Sequence, residues 1–276
     1  MSIKKLLSGL VVGTAIMASP VHSAPILSDI VFVVDESGSM GSVQANLRTN
    51  IGLFASILTG TGQVDAQYGL VGYGDSGVRP RMLTNFTNAT GFSTAANGLR
   101  INGGTEPGYT ATAYALNALD GQTDLFSFRS NAVKNIIILS DEASNGDNSF
   151  FGAVGGSSVS SSILDGILTD NNALYNGVLS FGAVSSYSTL IGNHGGTVFD
   201  LNQFNTNDAA IVQSFVTDFA NKKLQETLNF CDLNPNDPAC QGGSTPVPEP
   251  GTLGLLSLAL GGLVFRRRLS NFKATS

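Results

Sequence analysis

The sequence lacks tryptophan and has only two histidines and two cysteines in 276 residues. His22 and His194 are too few for a histidine-rich zinc site, and only His194 lies in the body of the chain as a candidate for histidine-dependent catalysis. Charged residues make up 12% of the chain, against a usual share of about 25%. With 42% hydrophobic residues, the chain has enough apolar surface for one large core or two small ones, which argues against charge-driven disorder.

Basic residues are scarce between the two ends of the chain. Segment 24–250 carries 8 basic against 20 acidic residues, a net charge of −12. A body this acidic argues against nucleic acid as a partner and suits cations, or partners that bind through a cation. The remaining basic residues lie at the ends: Lys4, Lys5, Arg266, Arg267, Arg268 and Lys273.

Residues 1–23 have the three parts of a secretory signal peptide. Lys4 and Lys5 form its basic start, residues 6–18 are apolar, and Val21-His22-Ser23 allows cleavage after Ser23. The alternative is a buried N-terminal helix, which the following Pro25 and a new strand disfavour. The segment therefore predicts export by the general secretory route.

The C-terminal region 247–268 also has three parts. The motif Val247-Pro248-Glu249-Pro250 precedes 15 apolar residues (251–265) and an arginine cluster at 266–268. A bilayer needs about 20 residues, so the predicted transmembrane helix is short. The arginines would stay in the cytoplasm, which leaves the body outside the inner membrane. Residues 269–276 form a C-terminal tail.

This arrangement resembles the PEP-CTERM sorting signal of Gram-negative bacteria. The resemblance implies that an exosortase handles the protein in the inner membrane, which the C-terminal helix enters transiently, and removes the tail. A plain single-span anchor is the alternative. A GPI signal fits less well because its apolar tail would not end in arginines, and the Leu-Pro-x-Thr-Gly motif of a sortase signal is absent.

Segment 229–246 is rich in Pro, Asn, Asp and Gly, which predicts a linker without regular structure. Cys231 and Cys240 both lie in it. Outside the cytoplasm two such cysteines are expected to form a disulfide, although the sequence does not show that they are paired.

The body alternates apolar strand patterns with helical ones. Strands are predicted at 30–34, 68–73, 81–86 (at an edge), 135–139, 177–184 and 196–201. Helices are predicted at 93–100, 109–119 and 160–168. Two more have apolar residues at helical spacing, one at Val43, Leu47, Ile51, Phe54 and Leu58, the other at Ile211, Val212, Phe215, Val216 and Phe219. The alternation predicts one α/β domain with a mostly parallel central sheet and helices on both faces.

Three predicted loops with polar side chains belong to the carboxyl edge of this sheet, where ligands of open α/β sheets bind. Asp35-Glu36-Ser37-Gly38-Ser39 follows the first strand, and Ser140-Asp141-Glu142 follows the strand at 135–139. Gly103-Gly104-Thr105 precedes a helix. We expect Gly38 to permit a tight turn in the first loop.

These residues resemble the von Willebrand factor type A (vWA) domain, a Rossmann-like α/β fold, over about residues 28–228. The metal-ion-dependent adhesion site (MIDAS) of that family has Asp-x-Ser-x-Ser, then a Thr, then an Asp at a strand end. The matching residues are Asp35, Ser37, Ser39, Thr105 and Asp141. The resemblance implies that Ser37, Ser39 and Thr105 bind the metal directly and that the two aspartates act partly through water. Glu142 departs from the glycine of many relatives.

Hydroxyl and carboxylate oxygens are hard ligands, suited to a divalent cation: Mg²⁺ first, with Ca²⁺ or Mn²⁺ as alternatives. Because hydroxyls carry no formal charge, the cation would keep its positive character and an open position for a carboxylate of a partner. An acidic protein would in this way bind an acidic partner.

Simpler roles exist for the same residues. Asp35, Ser39 and Thr105 are also suited to cap helices, and Asp141 to end a strand in solvent. Asp75, Glu106 and Glu142 are predicted to be solvated charges, and His194 an exposed loop residue. The sequence contains no nucleophile beside a base, no phosphate-binding loop and no zinc-binding helix, so we expect no enzymatic activity.

The predicted function is cation-dependent adhesion to an acidic ligand by an exported protein of the cell envelope, cell surface or extracellular matrix. The ligand would be a protein or an exopolysaccharide that offers a carboxylate. The alternative is a structural matrix or envelope protein in which the metal only stabilises the fold.

Overall fold

Eight strands and six helices form the structure, a computed structural model that describes residues 24–241. The strands are β1 (Ile26–Asp35), β2 (Val64–Tyr73), β3 (Arg81–Thr87), β4 (Ala132–Ser140), β5 (Ala153–Val154), β6 (Ser157–Ser158), β7 (Leu174–Leu179) and β8 (Val198–Asp200). The helices are α1 (Gly41–Thr59), α2 (Ala89–Ala95), α3 (Gly108–Ala115), α4 (Ser161–Asp170), α5 (Phe181–Asn193) and α6 (Ala209–Leu233).

Six of the strands form one sheet in the order β3-β2-β1-β4-β7-β8. β3 lies at an edge of the sheet, as the sequence predicts, and it is the one antiparallel strand of this sheet, paired with β2. β1 lies near the centre, and its residues 30–34 are at most 1% exposed because helices cover both faces. The short β5 and β6 form a separate hairpin. The prediction of a Rossmann-like α/β fold with a mostly parallel sheet is confirmed.

Two apolar layers enclose the sheet. One is formed by α1, α2 and α6, and the other by α3, α4 and α5. The five apolar residues predicted to line α1 are all buried. The ring centroid of Phe54 lies 5.7 Å from that of Phe32 of β1, in an edge-to-face contact, and 5.1 Å from that of Phe219 of α6. These aromatic contacts hold α1, and with it the loop that precedes it, against β1.

The predicted strand at 177–184 is wrong in its second half. β7 ends at Leu179, and α5 begins at Phe181. Ala183, Tyr187, Leu190 and Ile191 are the buried residues of α5, and their spacing is helical. The segment is apolar throughout, so its composition does not reveal that the spacing of buried residues changes from that of a strand to that of a helix at Ser180.

Other boundaries differ by a few residues. The helix predicted at 93–100 begins at Ala89, because the side chain of Asn88 caps it, and Leu99 is already extended. The helix predicted at 109–119 ends at Ala115, since Asn117 has a left-handed backbone conformation with φ 60°. The last strand is shorter than predicted and ends at Asp200.

The closing helix is longer than predicted. α6 extends to Leu233, so residues 229–233 are helical and do not belong to a linker. Its buried face includes Val212, Phe215, Val216 and Phe219, whereas Ile211 is 45% exposed and does not belong to that face. Cys231 lies in the last turn of α6 and forms a disulfide with Cys240.

The predicted signal peptide (1–23) and the sorting signal (247–268) lie outside the described residues. Within 24–241, no helix is long and apolar enough to cross a membrane.

Removing the disulfide is expected to destabilise the C-terminal end of the domain. The bond closes a loop with a sequence separation of nine residues against a small apolar cluster that includes Phe230 and Ala239. Replacing both cysteines by serine should lower the free energy of unfolding by about 2–3 kcal/mol, the effect of closing such a loop. Denaturant unfolding measures this, and each single variant should lose as much as the double variant. Unchanged stability of the wild-type protein in dithiothreitol would contradict the prediction.

Candidate metal centre

Three loops meet at the carboxyl edge of the sheet, as the sequence predicts. The loop after β1 and the loop before α3 are joined by an isolated parallel bridge between Ser37 and Gly103, in which Gly103 N donates to Glu36 O at 3.0 Å. The loop after β4 joins them through Asp141, whose Oδ1 accepts a hydrogen bond from Ser37 Oγ at 3.3 Å. Residues separated by 104 positions in the chain thus lie in direct contact.

Asp35 is fully buried at the end of β1. Its Oδ1 accepts a hydrogen bond from Ser37 N at 2.7 Å, and its Oδ2 one from Ser140 Oγ at 3.2 Å. The pKa of Asp35 is raised to about 7, mainly by burial and then by the negative charges of Asp141 and Glu106. The backbone hydrogen bond from Ser37 acts in the opposite direction. The carboxylate is therefore costly to ionise until a positive charge comes close.

The hydroxyls of the first loop lie beside Asp141. Ser37 Oγ is 3.3 Å from Ser39 Oγ and 3.3 Å from Asp141 Oδ1. Adjacent ligands of an octahedral Mg²⁺ with bonds of about 2.1 Å lie about 3 Å apart. Ser37 is buried, Asp141 is half-buried and Ser39 is exposed, so the group extends from the interior to the solvent. Its spacing and chemistry fit a small hard cation.

Thr105 borders the same place from the loop before α3. Its carbonyl oxygen and Asp35 Oδ1 both lie against Gly74, where a Cβ would be 3.4 Å from the first and 3.2 Å from the second. The Thr105 hydroxyl makes no hydrogen bond to any residue of the described part of the chain. The structure thus brings all five predicted residues to one edge of the sheet.

The helix-capping alternatives do not describe these residues. α1 is preceded by Met40 and α3 by Pro107, and neither helix has a side-chain hydrogen bond at its N-cap. Ser39 and Thr105 therefore cap neither helix, and the Asp35 carboxylate accepts from Ser37 N of its own loop and from Ser140 Oγ of β4.

The close approach of the loops depends on Gly74, which the sequence analysis missed, and on Gly103, which it named without this role. A Cβ on Gly103 would lie 1.8 Å from Gly74 O, and Gly74 has a φ of +86°. Gly38 has space around it and no positive φ, so the expectation that it permits the tight turn is wrong.

Glu36 fixes the position of the first loop from the interior of the protein. It is 1% exposed and accepts hydrogen bonds from the Arg81 side chain and, at 2.7 Å, from Arg100 N. Gln44 of α1 donates to Asp35 O at 3.1 Å and to Arg100 O at 2.7 Å. These contacts fix the end of β1 relative to α1 and to the segment that leads to Thr105.

Asp147 and Asn145 hold the loop after β4. Asp147 accepts hydrogen bonds from Thr110 N at 2.8 Å and from Ser144 Oγ at 2.6 Å. Asn145 exchanges hydrogen bonds with Glu106, donating to its Oε2 at 2.6 Å. Both residues escaped the sequence analysis, because a single polar residue in a loop gives no signal of its partner. They position Asp141 and Thr105 without being candidate ligands.

Two of the three charges predicted to be solvated are buried. Glu106 is 1% exposed, and burial followed by the charge of Glu142 raises its pKa against the hydrogen bond from Asn145. Asp75 is 6% exposed and pairs with Arg100. Glu142 is exposed, as expected. The site therefore has more negative charge close to it than its two aspartates supply.

His194 is also not the exposed loop residue expected. It ends α5, its side chain is 9% exposed, and its Nε2 lies 2.9 Å from Asp165 Oδ1. It lies in the loop that leads into β8, at the opposite end of β7 from the site.

Comparison with protein families gives two matches. The von Willebrand factor type A domain matches residues 29–159. The chain contains a vWA domain. The match ends before the predicted boundary at 228, but the same sheet continues through β7 and β8. The PEP-CTERM protein-sorting motif matches residues 246–268, which confirms the predicted C-terminal signal. This motif indicates exosortase-mediated sorting and export to the cell envelope of a Gram-negative bacterium.

Other comparisons add little to the vWA assignment. None of the curated proteins matches the chain. Among solved structures, a mutant of the PilB minor pilin from Streptococcus sanguinis is 14% identical with a TM-score of 0.47. The match covers 75% of this chain and 64% of that one, so the chain spans less than two thirds of its length.

The donor set of the candidate site differs from that of a zinc or iron centre. Residues 24–241 contain no group of three or more His, Cys, Asp or Glu side chains that could hold a metal. Three hydroxyls and two carboxylates instead make up the candidate ligands, which is the chemistry that magnesium, calcium and manganese prefer.

We expect the raised pKa of Asp35 to give the metal-free protein a characteristic pH dependence. Protonated Asp35 stabilises the fold fully below pH 4, and this contribution is lost as the pH rises through about 7. The experiment is done in EDTA and compares the free energy of unfolding of wild type with that of Asp35→Asn. Between pH 4 and pH 8, wild type should lose up to about 4 kcal/mol relative to the variant, at about 1.4 kcal/mol per pKa unit. Urea unfolding at several pH values measures the difference. A difference that does not change with pH would contradict the assignment.

Proposed function

We propose that the exported protein binds a divalent cation through Asp35, Ser37, Ser39, Thr105 and Asp141 and uses it to hold an acidic partner. One observation carries the proposal: at the carboxyl edge of the sheet, the Ser37 hydroxyl lies 3.3 Å from the Ser39 hydroxyl of its own loop and 3.3 Å from the Asp141 carboxylate of a distant loop. The partner would be a protein or an exopolysaccharide that offers a carboxylate.

The electrostatics of the site favour a cation as the first ligand. The charges that raise the pKa of Asp35 are those of Asp141 and Glu106, and those that raise the pKa of Glu106 are Glu142 and Asp141. The nearest arginines already pair with other carboxylates, Arg81 with Glu36 and Arg100 with Asp75. A divalent cation would relieve this repulsion, and Mg²⁺ is our first choice, with Ca²⁺ or Mn²⁺ as alternatives.

The proposed ligands divide into two roles. Ser37, Ser39 and Thr105 would bind the ion directly, and Asp35 and Asp141 would orient bound water or contact the ion. Because three of the ligands are neutral, the bound ion would supply net positive charge to a carboxylate of the partner. Asp35 would hold Ser37 in place through its hydrogen bond to Ser37 N.

Exposed apolar side chains lie beside the site and would contact the partner. Ile101 is 53% exposed, and its Cγ2 lies near Gly41 at the start of α1. Phe181 is 94% exposed and directly follows Ser180, whose hydroxyl donates to Asp141 O. Large apolar groups this exposed often mark a binding surface when they surround a polar centre.

Export would follow the general secretory route, with cleavage after Ser23, and the C-terminal helix would enter the inner membrane transiently. The mature protein would act at the cell surface or in the extracellular matrix. We propose no enzymatic activity on an external substrate.

Metal binding is tested by calorimetric titration of the purified protein with Mg²⁺, Mn²⁺ and Ca²⁺. Wild type should bind one ion, and Asp35→Ala or Thr105→Ala should lower the affinity at least tenfold, because each removes an oxygen or the support of one. Asp218→Ala is the matched control, since Asp218 is an exposed acidic residue of α6 away from the site, and it should bind like wild type. Equal binding by Asp35→Ala would refute the site.

Capture of partners from envelope extracts separates adhesion from a structural role. Immobilised wild type should retain a partner in Mg²⁺ and release it in EDTA. Phe181→Ala should bind the metal normally but retain several times less partner, because it removes apolar contact area outside the ion's ligands. Retention that is equal in EDTA would instead favour the alternative in which the metal only stabilises the fold.

A further inference from the structure

A lysine, an asparagine and a glutamate meet in the interior, on the α6 face of the sheet. Lys223 and Asn176 are 0% exposed, and Glu226 is 6% exposed. Asn176 lies in the middle of β7, while Lys223 and Glu226 lie one turn apart on α6. None of the three takes part in the proposed metal site, and a buried lysine needs a specific reason.

The contacts among the three side chains are direct. Lys223 Nζ touches Asn176 Oδ1, so the amine lies against the amide group. Glu226 Oε2 accepts a hydrogen bond from Lys223 Nζ at 3.1 Å and another from Asn176 Nδ2 at 2.7 Å. The same carboxylate oxygen is therefore within reach of both nitrogens. Thr197 Oγ1 donates to Glu226 Oε1 at 2.6 Å and fixes the carboxylate in this orientation.

The surroundings make it easier for the Lys223 ammonium group to lose a proton. Phe219, Ala220 and Leu224 of α6 and Val178 of β7 belong to the buried apolar cluster on this face. Burial lowers the pKa of Lys223, although the negative charge of Glu226 acts in the opposite direction. An unprotonated lysine amine is a nucleophile, and a carboxyl group that contacts it is a suitable proton acceptor.

We propose that Lys223 and Asn176 join in an intramolecular isopeptide bond, with Glu226 as the group that transfers the protons. Nothing in this reaction requires the metal site, so it is independent of the proposed function.

The reaction balances without an oxidant, a reductant or a cofactor. Glu226 accepts a proton from Lys223 Nζ, and the lone pair of Nζ then attacks Cγ of Asn176, which forms the new C–N bond. The bond from Cγ to Nδ2 breaks as Glu226 delivers protons to Nδ2. Nζ loses two protons and Nδ2 gains two, so one ammonium and one primary amide become one secondary amide and one ammonium ion. Glu226 ends as the carboxylate it was.

The leaving group has a path to solvent. Glu226 and Thr197 line a cavity of about 580 Å³ that opens at the N-terminal end of β7, between α6 and the segment 193–197. Ammonium released beside Glu226 would diffuse out through this cavity, which makes the reverse reaction unfavourable at low ammonium concentration.

The bond would join α6 covalently to the interior of the sheet. α6 continues to the disulfide at Cys231 and then toward the sorting signal. A pulling force that arrives from the C-terminal side would pass into β7 through the bond, rather than peeling α6 away. Such a link suits a protein that holds a partner while it is itself held at the cell envelope.

Mass spectrometry of the exported protein tests the bond. After reduction and alkylation, wild type should be lighter by one ammonia, about 17 Da, than the mass calculated for its processed and alkylated chain. Proteolysis should yield a branched peptide that joins Lys223 to Asn176. Lys223→Met and Glu226→Gln should have the full mass of their sequences. Lys222→Met is the matched control, because Lys222 directly precedes Lys223 on the helix and is exposed. This variant should keep the bond.

The alternative outcomes are distinct. A succinimide at Asn176-Gly177 would lose the same mass, but the loss would persist in Lys223→Met and no branched peptide would form. That result, or a wild-type protein of full mass, would overturn the proposal and leave the three side chains as a buried ion pair with its hydrogen bonds. If a variant fails to fold, the branched peptide of the wild type decides.

Discussion

The burial of one carboxylate at the end of β1 is the constraint on which the candidate site depends. Asp35 ends the strand whose residues 30–34 are covered on both faces, so its side chain has no access to bulk water. Its two oxygens are held by Ser37 N and Ser140 Oγ, one from its own loop and one from the neighbouring strand β4. The fold thus keeps a carboxylate where its charge is costly, and orients the loop that carries Ser37 and Ser39 around it.

The rest of the site follows from that arrangement. Neutral hydroxyls surround a region whose fixed charges are negative, and the arginines nearby are occupied by Glu36 and Asp75. The loops are held by their own hydrogen bonds, as those of Asp147 and Asn145 illustrate, so the candidate ligands are in place without help from an ion. This preorganisation favours the adhesive role over one in which a metal merely stabilises the loops.

The sequence predicts the site better than its surroundings. Asp35, Ser37, Ser39 and Asp141 follow clear strand patterns, so their position at the carboxyl edge can be inferred from topology. The vWA resemblance adds Thr105, which precedes a helix, and groups the five residues as one set. The burial of Glu106 and Asp75 cannot be inferred from the sequence, because it depends on Asn145 and Arg100, which come from other segments. The start of α5, residues 181–184, was predicted as strand because it is as apolar as β7, and the rest of α5 was not predicted. The contact of Lys223 with Asn176, 47 positions apart, likewise needs the packing of α6 on the sheet.

Diffraction from crystals soaked in Mn²⁺ tests the central claim most directly, because the anomalous signal of manganese locates the ion without reference to the protein atoms. We expect one strong peak in the anomalous difference map at coordination distance from the hydroxyl oxygens of Ser37, Ser39 and Thr105. This peak should disappear in Asp35→Ala crystals. An absence of any peak at this edge of the sheet, with manganese bound elsewhere on the acidic surface, would contradict the claim.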